Sequence, residues 1–438
     1  MRKISPQYLI TLVIMLAVNA EATTFFVNKS ASGSNNGTSW ANAWTDVGQI
    51  SWSSLSPGDT VCVAGGTYSG SIVTGKSGSS GSPITIRRAS AANTTCGSNS
   101  TGWSNAFDAQ VVLAGISLQN DYVTIDGAVT SGMFITLANS SGSPSAVNVG
   151  GATNGVVLRY IEVSGPCGTS ACAQNGDSRS IDLNHWNGSS YDLQNNMLIQ
   201  YVNLHGSCTI LWSAHSTNGI IEHSRFADSS TTNTANCHPN VIAEQDSTNM
   251  TFRYNEVTNW QVEGIMACPS GSCSSAWNIY GNIWHDPMSG SYPRVLEAQG
   301  NSNGPYLVYD NTFVNLYYIC ASTANGGSFV SGTQGRNNLF YGNNFGNCGL
   351  PSEDYDYSDQ SLSGEAHGQG NAANLLVSSA TKNFHLTAHT SPGVNLGSPY
   401  NLDYDGNTRV TWDRGAYEFD GSSSSQPAAP TGLSATVQ

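Results

Sequence analysis

Three acidic side chains in short apolar segments are the residues of this sequence best suited to do chemistry. They are Asp182 in SIDLNH (180–185), Glu244 in NVIAEQ (240–245) and Glu297 in RVLEAQ (294–299). Apolar and polar residues alternate in these segments, which predicts strands and, if the alternation is strict, points all three carboxylates away from the core. Two carboxyl groups about 6.5–9.5 Å apart, one of them protonated, suit inverting hydrolysis of a glycosidic bond.

Basic, imidazole and aromatic groups accompany these carboxylates. Arg294 opens the segment that holds the third one, and His185 closes the segment that holds the first. Imidazole exchanges protons near neutral pH, so His185 is a further candidate catalytic residue. Trp186 follows it directly, and Trp212 and His215 lie three residues apart in WSAHS. Flat aromatic rings stack on pyranose faces, so Trp186, Trp212 and His215 are candidate substrate-binding residues.

One apolar–polar pattern recurs through the middle of the chain. Aligned on its last apolar residue, the pattern ends at Val163, Leu204, Phe226, Val257, Trp284, Phe313 and Phe345. The intervals are 41, 22, 31, 27, 29 and 32 residues, as expected for a fixed unit that carries loops of different length. A single unit of this size cannot bury its apolar face, so the copies are expected to stack.

The pattern within each copy predicts an all-β solenoid. Short alternating stretches are typical of strands, and the 47 glycines indicate frequent turns. The shortest interval excludes a propeller blade, which needs about 40 residues. We therefore predict a right-handed single-stranded parallel β-helix with an N-terminal cap and a C-terminal closing segment. Its corner residues Asn255, Asn282, Asn311 and Asn343 are expected to stack into a hydrogen-bonded ladder.

The sequence resembles the secreted right-handed β-helix proteins of the pectate-lyase-like superfamily. FFVNKSASGSNNGTSWANAW (25–44) and LSPGDTVCVAGGTYSG (55–70) are similar to the cap and first coil of that group. DYDGNTRVTWDRGAYEF (403–419) is similar to its closing segment, so the resemblance covers roughly residues 25 to 420. It is specific for the fold, whereas many chemistries share this scaffold.

The same resemblance implies a groove along one parallel sheet, to which TILWSA (209–214) and EGIMAC (263–268) also belong. In pectate-lyase-like enzymes an arginine or lysine abstracts the proton beside a uronate carboxylate, while acidic residues hold calcium. Arg294 is then the candidate base, because no lysine lies between residues 77 and 381. Asp182, Glu244 and Glu297 are candidate calcium ligands if the reaction depends on calcium.

Composition limits the partners. The formal net charge is -14, so nucleic acid and anionic membrane surfaces are repelled at long range. An anionic polysaccharide is repelled as well, unless a divalent cation such as calcium bridges the charges. We expect a polysaccharide partner, no nucleic acid, no membrane insertion and a monomeric protein.

The N-terminus predicts export. Arg2 and Lys3 precede the apolar run YLITLVIMLAV (8–18), as in a signal peptide cleaved after Ala20 or Ala22. We expect a secreted or extracellular protein, either free or associated with the cell surface. The predicted organisation is a signal peptide (1–22), a β-helix domain (23–420) and a flexible Ser/Pro-rich tail (421–438).

The cysteines fit an oxidising compartment, where disulfides persist. Their spacings are loose for zinc, and no histidine stands at ligand spacing beside them. Connectivity does not follow from spacing alone. The simplest prediction is consecutive pairing: Cys62 with Cys96, Cys167 with Cys172, Cys208 with Cys237, Cys268 with Cys273 and Cys320 with Cys348.

Two classes of function remain open. The first is a secreted polysaccharide-active enzyme that cleaves glycosidic bonds by carboxylate-paired hydrolysis or calcium-assisted β-elimination. The alternative is a non-catalytic glycan-binding, adhesion or structural β-helix protein of the cell surface. Convergence of Asp182, Glu244 and Glu297 within about 10 Å, beside Arg294 and an aromatic wall, would favour the enzyme.

Overall fold

In the part of the chain that the structure describes, regular structure is almost entirely β-strand. The computed structural model describes residues 22–289, 292–301 and 304–421. The predicted signal peptide and tail therefore lie outside the described residues, apart from their boundary positions 22 and 421. In the described ranges no helix is long and apolar enough to cross a membrane. Three 3-10 turns complete the helical content: Val47–Gln49, Trp52–Ser54 and Asn105–Phe107.

Three long parallel sheets run along the described part of the chain. Each turn of the chain adds one strand to each sheet, so neighbouring strands in a sheet come from successive turns. Sheet 1 consists of Thr24–Val27, Thr60–Val63, Ile84–Arg88, Val123–Asp126, Val157–Arg159, Leu198–Gln200, Ile220–Glu222, Met250–Arg253, Trp277–Tyr280, Tyr306–Tyr309, Gln334–Arg336 and Ser352–Asp354. Sheet 2 consists of Gly66–Thr67, Val111–Leu113, Met133–Thr136, Ile161–Ser164, Asn203–His205, Arg225–Ala227, Glu256–Thr258, Ile283–His285, Thr312–Val314, Leu339–Tyr341 and Tyr357–Ser358.

The third sheet carries the predicted groove. Sheet 3 consists of Ile72–Val73, Ile116–Leu118, Ser145–Val149, Arg179–Asp182, Thr209–Ala214, Asn240–Gln245, Glu263–Ala267, Arg294–Ala298 and Ala321–Thr323. Two minor sheets consist of Thr153–Asn154, Gln194–Asn195 and Ser216–Thr217, and of the antiparallel hairpin Leu376–Ser378 and Asn383–Leu386. A crossover that connects two parallel strands of one sheet is right-handed, so the predicted right-handed parallel β-helix is confirmed.

Stacked copies of the repeat bury their apolar residues between the three sheets. The predicted anchors pair in register from Val163 to Phe313, one on each successive strand of sheet 2. The prediction that Phe345 is the last anchor is wrong, because Phe340 is the residue that pairs with Phe313. The Phe340 ring stacks on Phe313 at 4.9 Å, whereas Phe345 packs from outside this column.

A buried asparagine ladder lines one corner of the helix. The backbone N–H of Asn255, Asn282 and Asn311 donates to the side-chain oxygen of the next residue in the ladder at 2.9–3.1 Å. Asn338 continues the ladder, so the prediction of Asn343 at this position is wrong. Both errors have one cause, since the sequence pattern was aligned five residues too late in this copy. Each carboxamide satisfies backbone groups that water cannot reach.

All ten cysteines form disulfides in the predicted consecutive pairing. This confirms the connectivity and indicates an oxidising environment. The bridges join Cys62 to Cys96, Cys167 to Cys172, Cys208 to Cys237, Cys268 to Cys273 and Cys320 to Cys348.

An ionic network around the buried His285 ties the C-terminal hairpin to sheet 2. His285 Nε2 lies 2.9 Å from Glu256 Oε1, and its Nδ1 lies 2.6 Å from Asp286 Oδ2. Lys382 of the hairpin pairs with Asp286, and Phe384 packs on the imidazole at 4.9 Å. Burial opposes the charged imidazole, but hydrogen bonds to Asp286 and Glu256 outweigh it and raise the pKa of His285.

Candidate active site

The strands of sheet 3 depart from strict alternation. In six successive strands two consecutive residues are buried, and the ladder pairing skips the first of each pair. Residues three apart therefore share the outer face, as in the ion pairs Arg179–Asp182 at 2.8 Å and Arg294–Glu297 at 2.7 Å. The buried pairs are Ala146–Val147, Ser180–Ile181, Ile210–Leu211, Val241–Ile242, Gly264–Ile265 and Val295–Leu296.

Glu244 points into the core, so its predicted outward orientation is wrong. The Tyr306 hydroxyl donates to its Oε1 and the Ser275 hydroxyl to its Oε2, both at 2.5 Å. Burial raises its pKa to about 7. The prediction assumed strict alternation, and the extra buried residue in this strand turns Glu244 to the other face. Cys268 and Cys273 lie beside it, but they are joined in a disulfide and cannot bind a metal.

Asp182 lies on the outer face, as predicted, but within a different cluster from Glu297. The Arg179 guanidinium binds Asp182 at 2.8 Å and Asp177 at 2.7 Å. The same guanidinium stacks on Trp212, its centre 4.4 Å from the ring. The proposed contact of Trp212 with substrate stays a prediction.

The three predicted carboxylates do not converge. Asp182 lies on the fourth strand of sheet 3 and Glu297 on the eighth, which at about 4.8 Å per strand separates them by roughly 19 Å. Glu244 lies on the sixth strand and faces inward. The prediction that these residues form one catalytic or calcium-binding cluster is therefore wrong.

A different carboxyl group, that of Glu263, meets Glu297. Glu263 lies on the seventh strand, in register with Arg294 on the eighth. The Arg294 guanidinium joins the two, with Nη1 3.3 Å from Glu263 Oε1 and Nε 2.7 Å from Glu297 Oε2. His238 Nδ1 lies 3.4 Å from Glu263 Oε2. We call Glu263 and Glu297 the acidic pair.

The surroundings make the two carboxyl groups unequal. The Glu263 side chain is only 1% exposed. Its burial, together with the negative charge of Glu297 within hydrogen-bonding reach, raises the pKa of Glu263 to about 9, although Arg294 opposes the rise. Glu297 accepts hydrogen bonds from Gln299 at 3.0 Å and Ser322 at 2.9 Å. At neutral pH Glu263 thus keeps its proton, which suits it to act as the acid beside a second carboxyl group that can serve as base or nucleophile.

The core beneath the acidic pair holds its backbone in place. Gly264 leaves no room for a side chain, since a Cβ there would lie 2.6 Å from both the Trp284 ring and the Val295 carbonyl oxygen. The buried Trp260 donates from Nε1 to the Arg294 carbonyl at 2.9 Å. Trp260 and Trp284 pack edge to face at 5.8 Å. Glu263 and Arg294 are therefore carried by rigid strands.

A groove of about 430 Å³ surrounds the acidic pair. Its wall comes from residues just ahead of successive strands, His238, Gln261 and Tyr292. Tyr318, one turn further on, packs edge to face against Tyr292 at 5.3 Å. Tyr292 is 65% exposed and Tyr318 is 42% exposed. The Arg294 guanidinium lies 5.6 Å from the centre of the Tyr318 ring. We call Tyr292 and Tyr318 the tyrosine wall.

The remaining predicted residues gather elsewhere on the molecule. Trp186 packs edge to face on Tyr191 at 4.9 Å, and Tyr191 stacks on His215 at 4.7 Å. His185 is held by Asp192 at 2.7 Å. This cluster follows the fourth and fifth strands of sheet 3, and the fourth strand, which His185 follows, lies three strand spacings, about 14 Å, from the strand of Glu263. Substrate contacts of Trp186 and His215 stay predictions, and His185 does not join the acidic pair.

Glu263 was missed by sequence reasoning, although its segment had been assigned to the groove sheet. One signal could have found it. Aligning the first residues of EGIMAC and RVLEAQ places Glu263 directly opposite Arg294 on adjacent strands, an arrangement that opposite charges favour.

Calcium does not fit these carboxylates. The acidic pair shares the guanidinium of Arg294, and Asp182 is bound by Arg179, so an arginine takes the place of a cation in each cluster. Calcium takes six to eight oxygen ligands. Among the residues that the structure describes, the one cluster of three potential ligand atoms is Glu244 with two disulfide-bonded cysteines.

Comparison with known proteins supports the fold. No protein-family model matches the sequence, and no curated protein is significantly similar to it. The crystal structure of pectate lyase Pel9A has a TM-score of 0.57 and 13% identity, covering 92% of this chain and 97% of its own. The structure of XylC in complex with xylose has a TM-score of 0.52 and 9% identity, covering 91% and 99%. Likeness at such identities shows the fold alone: the chain has the right-handed parallel β-helix fold of the pectate-lyase-like proteins.

Proposed function

We propose that this chain is an exported, monomeric, polysaccharide-active enzyme that hydrolyses glycosidic bonds in the groove of sheet 3. The observation that carries the proposal is the acidic pair, in which a buried Glu263 with a pKa of about 9 contacts Glu297. Two ionisable groups whose surroundings push their protonation apart are typical of acid–base catalysis. A protein that only bound glycans would need no such pair.

Each residue of the site has a role in this reaction. The Glu263 carboxyl group donates its proton to the glycosidic oxygen, so that the leaving sugar departs neutral. The Glu297 carboxylate stabilises or attacks the anomeric carbon, and water then supplies a hydroxyl group to that carbon and a proton to Glu263. Direct contact of the carboxyl groups is closer to the spacing of about 5–5.5 Å in retaining enzymes than to the inverting spacing. Arg294 holds both carboxyl groups in position.

β-Elimination with Arg294 as base is less well supported. The guanidinium of Arg294 bridges the two carboxyl groups of the acidic pair, a position suited to holding them and not to abstracting a proton from a sugar. Asp182, Glu244 and Glu297 are also too far apart to hold one calcium ion between them. β-Elimination is therefore the alternative result that the polysaccharide screen described next can detect.

The test is a screen of neutral and uronate polysaccharides with the mature protein, with calcium or with a chelator. New reducing ends without the ultraviolet absorbance of unsaturated products would indicate hydrolysis. Glu263→Gln and Glu297→Gln should each lower the rate by about 10²–10⁴-fold. The control is Glu162→Gln, which removes a carboxylate paired with His205 at 3.1 Å on sheet 2. Chelator-sensitive absorbance would instead indicate elimination, and glycan binding without any cleavage would refute the enzyme.

A further inference from the structure

We propose that the groove takes an uncharged pyranose chain and that the tyrosine wall binds the sugar beside the cleaved bond. This inference rests on the proposed function and narrows its substrate class to neutral polysaccharides. It concerns Tyr292 and Tyr318, which no sequence pattern had singled out.

The charges on sheet 3 disfavour a uronate. Recognition of an anionic sugar needs a cation that is free to pair with each carboxylate. Both arginines in the strands of sheet 3 are already bound by two carboxyl groups each: Arg179 by Asp177 and Asp182, and Arg294 by the acidic pair.

Lysine does not supply the missing cation. The three lysines within the described ranges contact groups away from sheet 3: Lys29 the Thr67 carbonyl, Lys76 the Leu55 carbonyl and Lys382 the Asp286 carboxylate. The whole chain carries a net charge of -14, which repels an anionic polymer as it approaches. An uncharged chain meets neither obstacle.

The tyrosine wall offers the apolar surface that such a chain needs. Tyr292 lines the groove together with Glu263 and Glu297. Its ring and that of Tyr318 are exposed yet pack against each other, and Arg294 lies over the Tyr318 ring. Rigid, exposed rings lose little conformational entropy when a ligand binds, so they favour stacking against the C–H face of a pyranose.

The wall also defines one end of the binding site. Tyr318 precedes Ala321–Thr323, the strand that follows the one carrying Glu297. The disulfide of Cys320 with Cys348 anchors this segment to the next turn. The sugar that stacks on the wall therefore lies about one strand spacing, roughly 5 Å, to the C-terminal side of the acidic pair.

Calorimetric binding to oligosaccharides tests the inference. The probes are cellohexaose, mannohexaose, xylohexaose and hexagalacturonate, titrated into the Glu263→Gln protein to prevent turnover. We expect at least one neutral hexasaccharide to bind about tenfold more weakly (about 1.4 kcal/mol) after Tyr292→Ala or Tyr318→Ala. Tyr318→Phe should restore binding, and added salt should change it little.

Tyr201→Ala is the matched control, since this exposed tyrosine stacks between Tyr160 and His223 at the corner between sheets 1 and 2. Adding Tyr201→Ala to the Glu263→Gln protein should leave its affinity for the neutral hexasaccharide unchanged. The inference is overturned if only hexagalacturonate binds, if no hexasaccharide binds, or if the affinity is the same with and without Tyr292→Ala and Tyr318→Ala. Wall-dependent binding of a neutral chain that the wild-type protein never cleaves would uphold the tyrosine wall as a binding site for an uncharged chain and refute the proposed hydrolysis. Hydrolysis of a uronate polymer at a rate that neither Tyr292→Ala nor Tyr318→Ala changes would uphold the proposed hydrolysis and refute the inference.

Discussion

Glu263→Gln should stabilise the protein at alkaline pH while it removes activity. The carboxyl group has a pKa near 4.5 when exposed and about 9 in the folded protein. Between these values the folded state keeps a proton that the unfolded state releases, so the free energy of unfolding falls as pH rises. The slope is at most about 1.4 kcal/mol per pH unit. From pH 5 to pH 8 the wild type thus loses up to about 4 kcal/mol through this residue alone.

Glutamine resembles the protonated acid and cannot ionise, so Glu263→Gln escapes that loss. We expect nearly equal stability of variant and wild type at pH 5 and a more stable variant at pH 8. The assay is urea denaturation followed by tryptophan fluorescence at both pH values. Other titrating groups cancel in the difference between variant and wild type.

Glu162→Gln is the control with the opposite sign. Burial disfavours the Glu162 carboxylate, but the hydrogen bond from His205 outweighs this and lowers its pKa. Its stabilising effect is therefore present above its ordinary pKa, and the substitution should destabilise the protein at pH 8. If Glu263→Gln showed the same pH dependence as the wild type, Glu263 would be ionised in the folded protein and its role as acid would be refuted.

Three further predictions concern the fold. His285→Asn should lower the melting temperature more at pH 6 than at pH 9. The raised pKa of His285 stabilises the folded protein below the ordinary value of 6.5, and this stabilisation is lost as pH rises through the pKa in the folded protein. Equal decreases in melting temperature at the two pH values would contradict this prediction. Asn282→Ala should lower the free energy of unfolding by about 1–3 kcal/mol, because the buried N–H of Asn255 loses its acceptor; an unchanged urea midpoint would contradict the ladder's role. Replacing Cys62 and Cys96 by serine should cost about 4 kcal/mol by the chain-entropy estimate for a 34-residue separation, and a loss below 1 kcal/mol in the same assay would contradict that estimate.

The repeat could be predicted as far as its pattern was unambiguous. From Val163 to Phe313 each copy offered one apolar anchor, and all of these pair as predicted. In the next copy Phe340 and Phe345 both fit the pattern. Stacking on Phe313 selects Phe340, and no local feature of the sequence expresses that contact.

The site residues show a sharper limit. One extra buried residue per strand turned Glu244 inward and left Glu297 facing out, although both segments look alike in sequence. Glu263 acquired its partner only because its strand lies beside that of Arg294. Periodicity of two predicts the face of a side chain, and a single irregularity in the ladder reverses every face after it.

The sequence by itself predicted the β-helix and, as the simplest choice, the disulfide pairing, and its resemblance to a known family indicated the sheet that carries the groove. The β-helix follows from local alternation and from a repeat that must stack to bury its apolar face. The disulfide prediction only took each cysteine with its neighbour in the chain, and the structure confirmed it. The tertiary structure alone decided which carboxyl groups meet and which one keeps its proton. Glu263 and Glu297 are 34 positions apart in the chain. Their contact depends on inter-strand register, and their unequal protonation depends on burial by residues from several turns, which no single segment contains.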